Sequence, residues 1–313
     1  MSERLFATVA IFGPTAVGKT GIAVELARLL RERGEEPVAV SADAFQVYEG
    51  LDELVAKPSP GELELLEHRL VSSVPIEHEF SVAEFAERAH AEVDALVESG
   101  RRPILVGGTG LYLRAALTDL DLKPAPEPSL REDIERELER SGPESLHARL
   151  PATVAATVSP RDRKRIVRAL ELELMGERAH ERSSQLWSHE LRRPAGLFGI
   201  VMDRELVAER IDERVGRMLG GGALEEVERA CERGASRTAR KAIGFAEIEA
   251  HLRGDATLEQ VRERIVRRQR QYAKRQLTWM RKLAGVELLD RSELDDGQTA
   301  RAIVDRLDSL PPA

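Results

Sequence analysis

The chain has one cysteine, Cys231, among 313 residues. A single thiol excludes an internal disulfide and a cysteine-built zinc site, and it suits a reducing cytoplasm. No apolar run approaches the roughly 20 residues that a membrane-spanning helix needs, so no membrane is expected as a partner. Residues 1–11 carry one basic side chain, Arg4, and run straight into an apolar strand pattern, so a cleaved leader is not expected either. Repeats and low-complexity tracts are lacking, and His68 has no second ligand at metal spacing. Positive charge is in deficit overall, with a formal net charge of −8. That average speaks weakly against a nucleic-acid partner, but the distribution contradicts it. Residues 262–282 hold nine Lys or Arg against one acid, Glu263.

What is present begins with Gly13, Pro14, Thr15, Ala16, Val17, Gly18, Lys19 and Thr20, a complete phosphate-binding loop. Residues 5–12 lead in as a buried strand, and residues 21–31 lead out as an amphipathic helix. Gly13 and Gly18 allow backbone angles that turn successive N–H groups inward. Lys19 adds a point charge, Thr20 offers a hydroxyl to Mg²⁺, and the helix N-terminus adds its positive dipole. A plain glycine turn would explain the glycines but not Lys-Thr in register. The loop binds at least two linked phosphates.

Further strand-like runs lie at 37–41, 103–106 and 197–202. The first three strands are each followed by helical periodicity, the alternation of a parallel sheet covered by helices. In such sheets ligands sit beyond the carboxyl ends of the strands, which makes Asp43 and Gly107-Gly108-Thr109 candidates to join the loop at one site. Pro124, Pro126 and Pro128 break the pattern, as does the Arg193-Pro194-Ala195-Gly196 segment. Between these breaks the chain reads as helices at 129–141, 143–150, 161–175 and 178–187. The expected architecture is therefore an α/β, P-loop NTPase-like parallel sheet flanked by helices, with an all-helical insertion domain. The core takes residues 1–120 and 196–313, and the insertion takes 121–195. A short strand at 287–289 and a last helix close the chain.

Most phosphate loops serve ATP or GTP chemistry and draw on an apolar strand ending in Asp to hold Mg²⁺. Here the strand at 103–106 ends in Gly-Gly-Thr, so the loop fits a diphosphate at least as well as a triphosphate. Asp43 reads either as a helix cap or as an acid–base group, and Thr109 either as the end of a glycine turn or as a ligand contact. Arg214 could lie on a solvated helix face, yet Arg210, Ile211, Arg217 and Met218 offer it no in-helix acid. The basic run, with Tyr272, Leu277, Trp279 and Met280 interleaved, can dock one face on the core and turn the other to a polyanion.

Several segments together resemble the tRNA dimethylallyltransferase (tRNA isopentenyltransferase) family. They are the phosphate loop, Asp43-Ala44-Phe45-Gln46-Val47-Tyr48, Ala56-Lys57-Pro58, His68-Arg69 and Val106-Gly107-Gly108-Thr109-Gly110-Leu111-Tyr112. Arg168-Ala169-Leu170-Glu171, Ala239-Arg240-Lys241-Ala242-Ile243-Gly244-Phe245 and Lys274-Arg275-Gln276-Leu277-Thr278-Trp279-Met280-Arg281 follow in order. The resemblance implies transfer of a dimethylallyl group from dimethylallyl diphosphate to N6 of the adenosine 3′ of the anticodon, in tRNAs reading codons that start with U. It implies Mg²⁺ as cofactor, Asp43, Thr109 and Arg214 as the catalytic set, and residues 13–20 as the diphosphate cradle. The implied tRNA contacts are Asp43 to Gln46, Thr109, Arg131, Lys164-Arg165-Ile166-Val167-Arg168, Arg240 to Phe245 and Lys274 to Arg281. A cytoplasmic monomer is expected.

The sequence departs from the family pattern at three places. Ala44 stands where Ser commonly follows the aspartate, Leu54-Val55 replace a Gly-Thr pair, and residues 71–75 lack an acid often present there. Three other readings stay open on the residues alone: prenylation of free adenine nucleotides, a small-molecule kinase using ATP, and a phosphate-loop RNA-binding protein without catalysis.

Overall fold

A computed structural model describes residues 8–123, 126–177 and 190–309. The expected helix at 178–187 and the start of the first strand lie outside the described residues. The chain divides into two compact units, Leu120–Leu186 and the remainder.

The larger unit is built on six parallel strands: β1 (Thr8–Phe12), β2 (Pro37–Ser41), β3 (His68–Arg69), β4 (Arg102–Gly107), β5 (Ala195–Val201) and β6 (Val286–Asp290). They lie side by side in the order β3-β2-β4-β1-β5-β6. Every residue of β1 and β2 is buried, as strands covered by helices on both faces must be. Placing β4 between β2 and β1 brings the ends of three central strands to one edge. There the sheet packs so closely that a Cβ on Gly107 would sit 2.3 Å from the Ala42 carbonyl oxygen.

Helices α1 (Lys19–Arg31), α2 (Asp52–Val55), α3 (Pro60–Leu65), α4 (Val82–Glu98) and α5 (Gly110–Leu117) follow the early strands. The compact unit at Leu120–Leu186 contributes α6 (Pro128–Ser141), α7 (Pro143–His147), α8 (Ala152–Ala155) and α9 (Arg163–Leu174). Its own core joins Ile134, Leu138, Leu146, Leu150, Ile166 and Leu170. The larger unit ends with α10 (Arg204–Gly220), α11 (Ala223–Glu232), α12 (Phe245–Leu252), α13 (Leu258–Met280) and α14 (Asp296–Ser309). Among the described residues no helix is long and apolar enough to cross a membrane.

An ionic clamp fixes the return of the chain to the sheet. Asp94 of α4 accepts both ends of the Arg192 guanidinium at 2.7 and 2.6 Å, and Arg193 Nε at 2.6 Å. The Arg192 hydrogen bonds, then those of Arg193, hold its carboxyl down from 3.8 to about 2. Because the folded-state value is depressed, the stabilisation is complete above pH 3.8 and lost as pH falls through about 2. We expect Asp94→Asn to cost on the order of 2 kcal/mol at neutral pH. Denaturant unfolding of the two proteins should converge as pH drops toward 2. A constant difference across that range would remove the clamp's ionic role.

Candidate active site

The site forms beyond the carboxyl ends of β1, β2 and β4, where a cleft of about 970 Å³ opens. The phosphate loop supplies one wall. Ala16 (φ 68°) and Gly18 (φ 82°) are its two left-handed residues. Gly13 has a different task from the one expected, since its φ is not positive. A Cβ there would meet the Ile200 carbonyl oxygen at 2.9 Å and Val17 Cγ2 at 3.0 Å, so glycine lets β5 pack against the loop. Helix α1 opens directly after the loop with no acid in its first turn, leaving its N-terminal dipole free to face an anion.

Lys19 folds back over the loop, donating to the carbonyl oxygens of Gly13 (3.1 Å) and Pro14 (2.9 Å). Burial lowers its ammonium to about 8; Asp43 pulls it back up and Arg214 pushes it further down. Thr15 and Thr20 also line the cleft.

Asp43 stands just past β2. Its Oδ1 accepts from the backbone N–H of Phe45 (2.9 Å) and of Gln46 (3.4 Å), which fixes the carboxylate while its Oδ2 takes no hydrogen bond within the described residues. Asp43 therefore does cap a local turn and also lines the cleft. Gln46 spends its side chain inward, accepting from Ser41 Oγ (2.9 Å) and donating to the Ala56 carbonyl (3.0 Å).

Arg214 reaches the cleft from α10. It donates from Nη2 to the Val55 carbonyl at 3.2 Å, and its Nε is buried without a hydrogen-bond partner. Burial depresses the guanidinium, with Asp43 opposing. A buried, under-satisfied cation beside a phosphate loop is a prepared anion site. The Val55 carbonyl is held in place in turn: Glu226 of α11 accepts the N–H groups of Glu53 (2.8 Å) and Leu54 (3.0 Å), capping α2 from outside.

Helix α13 forms the remaining wall and is fastened to the site by two side chains. Gln276 accepts from Thr15 N–H (2.8 Å) and donates to the Gly108 carbonyl (2.7 Å), bridging the phosphate loop to the turn after β4. Tyr272 and Thr109 share a hydrogen bond of 2.9 Å between their hydroxyls. Burial, then the charge of Asp43, pushes the Tyr272 phenol up to about 12, so it stays neutral. A Cβ on Gly108 would meet Gln276 Nε2 at 2.3 Å and the Gly13 carbonyl oxygen at 3.0 Å, so a larger residue there would have to displace the Gln276 amide from its bridge.

The structure thus brings Asp43, Arg214 and the phosphate loop to one cleft, while Thr109 does not line it and adjoins it through Tyr272. It also sorts the side chains expected to reach tRNA. On α13, Lys274, Arg275 and Thr278 are exposed, as is Arg281 just past its end, whereas Gln276 and Met280 are buried. Arg275 lies over the Tyr272 ring, 5.6 Å from its centroid. Around α12, Ala242 and Phe245 are buried, and Arg240 pairs with Glu249 at 2.7 Å; Lys241 is exposed and Ile243 lines the cleft. On α9, Lys164 and Arg165 are exposed but Ile166 and Val167 belong to the core. Arg131 and Arg168 share the fully buried Glu171 carboxylate, with Arg131 Nη2 at 2.6 Å and Arg168 Nη1 at 3.1 Å. Ile166, Val167, Ala242, Phe245, Gln276 and Met280 are thus taken up by packing, and the exposed side chains of these segments are the ones open to a phosphate backbone.

Two residues with a part in the site escaped the sequence reading. Arg291, 3% exposed, donates from Nη1 to the Val17 carbonyl and pairs with Asp296, both at 2.7 Å, bracing the phosphate loop from the C-terminal strand. Gln269 of α13 lines the cleft while being 4% exposed. The signal in both cases is a polar side chain in an otherwise inward-facing position. Among the described residues no cluster of His, Cys, Asp or Glu could hold a metal unaided.

A six-stranded parallel sheet with flanking helices, carrying a phosphate loop between β1 and α1, defines a P-loop NTPase-like α/β protein. Comparison with known proteins narrows the class. The family model described as IPP transferase matches residues 46–283. The tRNA dimethylallyltransferase of Thermobifida fusca is 39% identical over 95% of this chain and 93% of its own length. That of Anaeromyxobacter dehalogenans is 42% identical over 89% and 93%. Among solved structures, the tRNA isopentenylpyrophosphate transferase of Bacillus halodurans superimposes with a TM-score of 0.71 at 32% identity, covering 97% of this chain and 96% of that one. A eukaryotic dimethylallyltransferase acting on tRNA gives 0.74 at 25% identity, covering 98% and 80%. The chain belongs to the IPP transferase family.

Proposed function

We propose that the protein transfers the dimethylallyl group of dimethylallyl diphosphate to N6 of the adenosine 3′ of the anticodon, in tRNAs reading codons that begin with U. The observation that carries this reading is the placement of Asp43, with one carboxylate oxygen spare, in the same cleft as Lys19 and Arg214. An exocyclic adenine amine is a weak nucleophile because its lone pair is delocalised into the ring. As N6 bonds to C1 of the prenyl group, the C1–O bond to diphosphate breaks and the N6 proton passes to Asp43 Oδ2. The charge growing on the diphosphate meets the loop amides, the Lys19 ammonium and the under-satisfied Arg214. Thr109, held by Tyr272, contacts the target nucleotide. The oxygen donors at the loop suit a hard cation: Thr20 would hold Mg²⁺, which would screen the charge on the leaving diphosphate.

The exposed cations of α13 and the exposed Lys164 and Arg165 of α9 suit an RNA backbone, which binds by phosphate neutralisation. We expect Lys274→Ala or Arg275→Ala to reduce the slope of log affinity against log salt for tRNA by about one unit or less each. An unchanged slope would remove that residue from the phosphate contacts. The reaction itself is tested with Mg²⁺, labelled dimethylallyl diphosphate, and either unmodified tRNA or AMP. Label on tRNA is expected. Label on AMP alone would move the protein to free-nucleotide prenylation, and ATP turnover without label would make it a kinase. The activity belongs in the cytoplasm, with the protein acting as a monomer.

A further inference from the structure

The inner face of α13 carries three amide or hydroxyl side chains along one stripe, at positions 269, 272 and 276, and all three line the cleft. Two have partners already described: Gln276 holds the phosphate loop and Tyr272 holds Thr109. Gln269 differs. It is 4% exposed, and its Oε1 is buried with no hydrogen-bond partner among the described residues. A sealed carbonyl oxygen without a donor costs stability, so a binding cleft that keeps one is poised for a donor arriving with a ligand.

The chemistry of the proposed reaction says which ligand can supply that donor. Dimethylallyl diphosphate brings a hydrocarbon and phosphate oxygens, which are acceptors. The adenine amine brings two N–H groups, and each gives up its water partner on docking and needs an acceptor in the site. Asp43 takes the proton that leaves. The second N–H is retained in the product and requires an acceptor of its own. Glutamine is a side chain suited to an adenine edge, since its amide oxygen accepts from the N6 amine. Tyr272, one turn from Gln269, lies within the field of Asp43 and bonds Thr109, which places this stretch of helix on the acceptor side of the cleft.

We infer that Gln269 Oε1 accepts the retained N6–H of the target adenosine and so orients the amine lone pair toward the prenyl carbon. This rests on the prenyl-transfer reading above. Gln269 is on this account a specificity-determining residue: a base with a carbonyl at the same position would set oxygen against oxygen at both Gln269 and Asp43.

The test compares wild type, Gln269→Leu and Gln269→Glu in single-turnover prenylation of an unmodified tRNA transcript, with donor affinity measured separately by calorimetry. Leucine removes the acceptor, and kcat/KM for tRNA should fall about tenfold to a hundredfold while the dissociation constant of dimethylallyl diphosphate stays the same. Glutamate restores an acceptor oxygen at the same reach and should recover most of the loss. Three results would overturn the inference: a leucine variant as fast as wild type, a leucine variant whose donor affinity falls in proportion, or leucine and glutamate variants equally slow. An inactive wild type would instead sink the reading of the reaction, so the two failures are distinguishable.

Discussion

Asp43→Asn is expected to leave tRNA affinity and folding intact while slowing prenyl transfer about a thousandfold, within the range that loss of a positioned general base brings. Asparagine keeps an oxygen for the N–H groups of Phe45 and Gln46, so the turn after β2 survives. It cannot accept the N6 proton. Without that acceptor the transition state must carry a positively charged amine beside Lys19 and Arg214, both of which feel Asp43 as their compensating negative charge. Substitution thus removes the base and raises the net positive charge of the cleft together. The second effect favours the diphosphate, so donor affinity should hold steady or rise while the chemical step collapses. Single-turnover rates beside donor and tRNA binding curves separate the two. A rate equal to wild type would refute the role of Asp43 as base.

The framework of this site was legible because its signals are local. An apolar strand, a phosphate loop and an amphipathic helix are contiguous in residues 8–31, and the strands at 37–41, 103–106 and 197–202 appear with boundaries shifted by no more than two residues. β3 left no such signal. It is two residues long and pairs only with Ala39 and Val40, so its pairing with β2 defines it rather than its pattern. The basic run was legible as charge but not as architecture. Gln276 and Met280 sit inside a segment whose composition suggests an RNA face, yet their helical phase turns them inward, and Gln276 braces the loop that it follows by 261 positions in sequence. Arg291 braces the same loop from 274 positions away. Such contacts depend on which strands the topology makes neighbours, and no window of sequence contains them. Gln269 was hidden differently. Its neighbours in the stripe, Ile265 and Ala273, mark its position as buried, but only the finished packing shows that its oxygen has no partner.

Lys19→Met should lower kcat/KM for the donor by about a hundredfold to a thousandfold, the loss typical of removing one preplaced donor from a developing anion. The lysine is poised unusually for this work. Folded over the Gly13 and Pro14 carbonyls and held by burial at about 8, its ammonium is only partly protonated slightly above neutrality. Diphosphate binding therefore carries a pH signature. Below about 8 the ammonium is present and affinity is flat. Above that value the free protein must take up a proton to bind, so the dissociation constant of dimethylallyl diphosphate should rise toward tenfold per pH unit. Lys19→Arg keeps its charge throughout and should lose the break, whatever its fork geometry does to the absolute affinity. Calorimetry between pH 7 and 10, run in buffers of different ionisation enthalpy, reads the affinity and the proton uptake together. A break that persists in Lys19→Arg would assign the titration to another group. A flat profile in the wild-type protein would mean that the cleft holds Lys19 charged, with Asp43 outweighing burial.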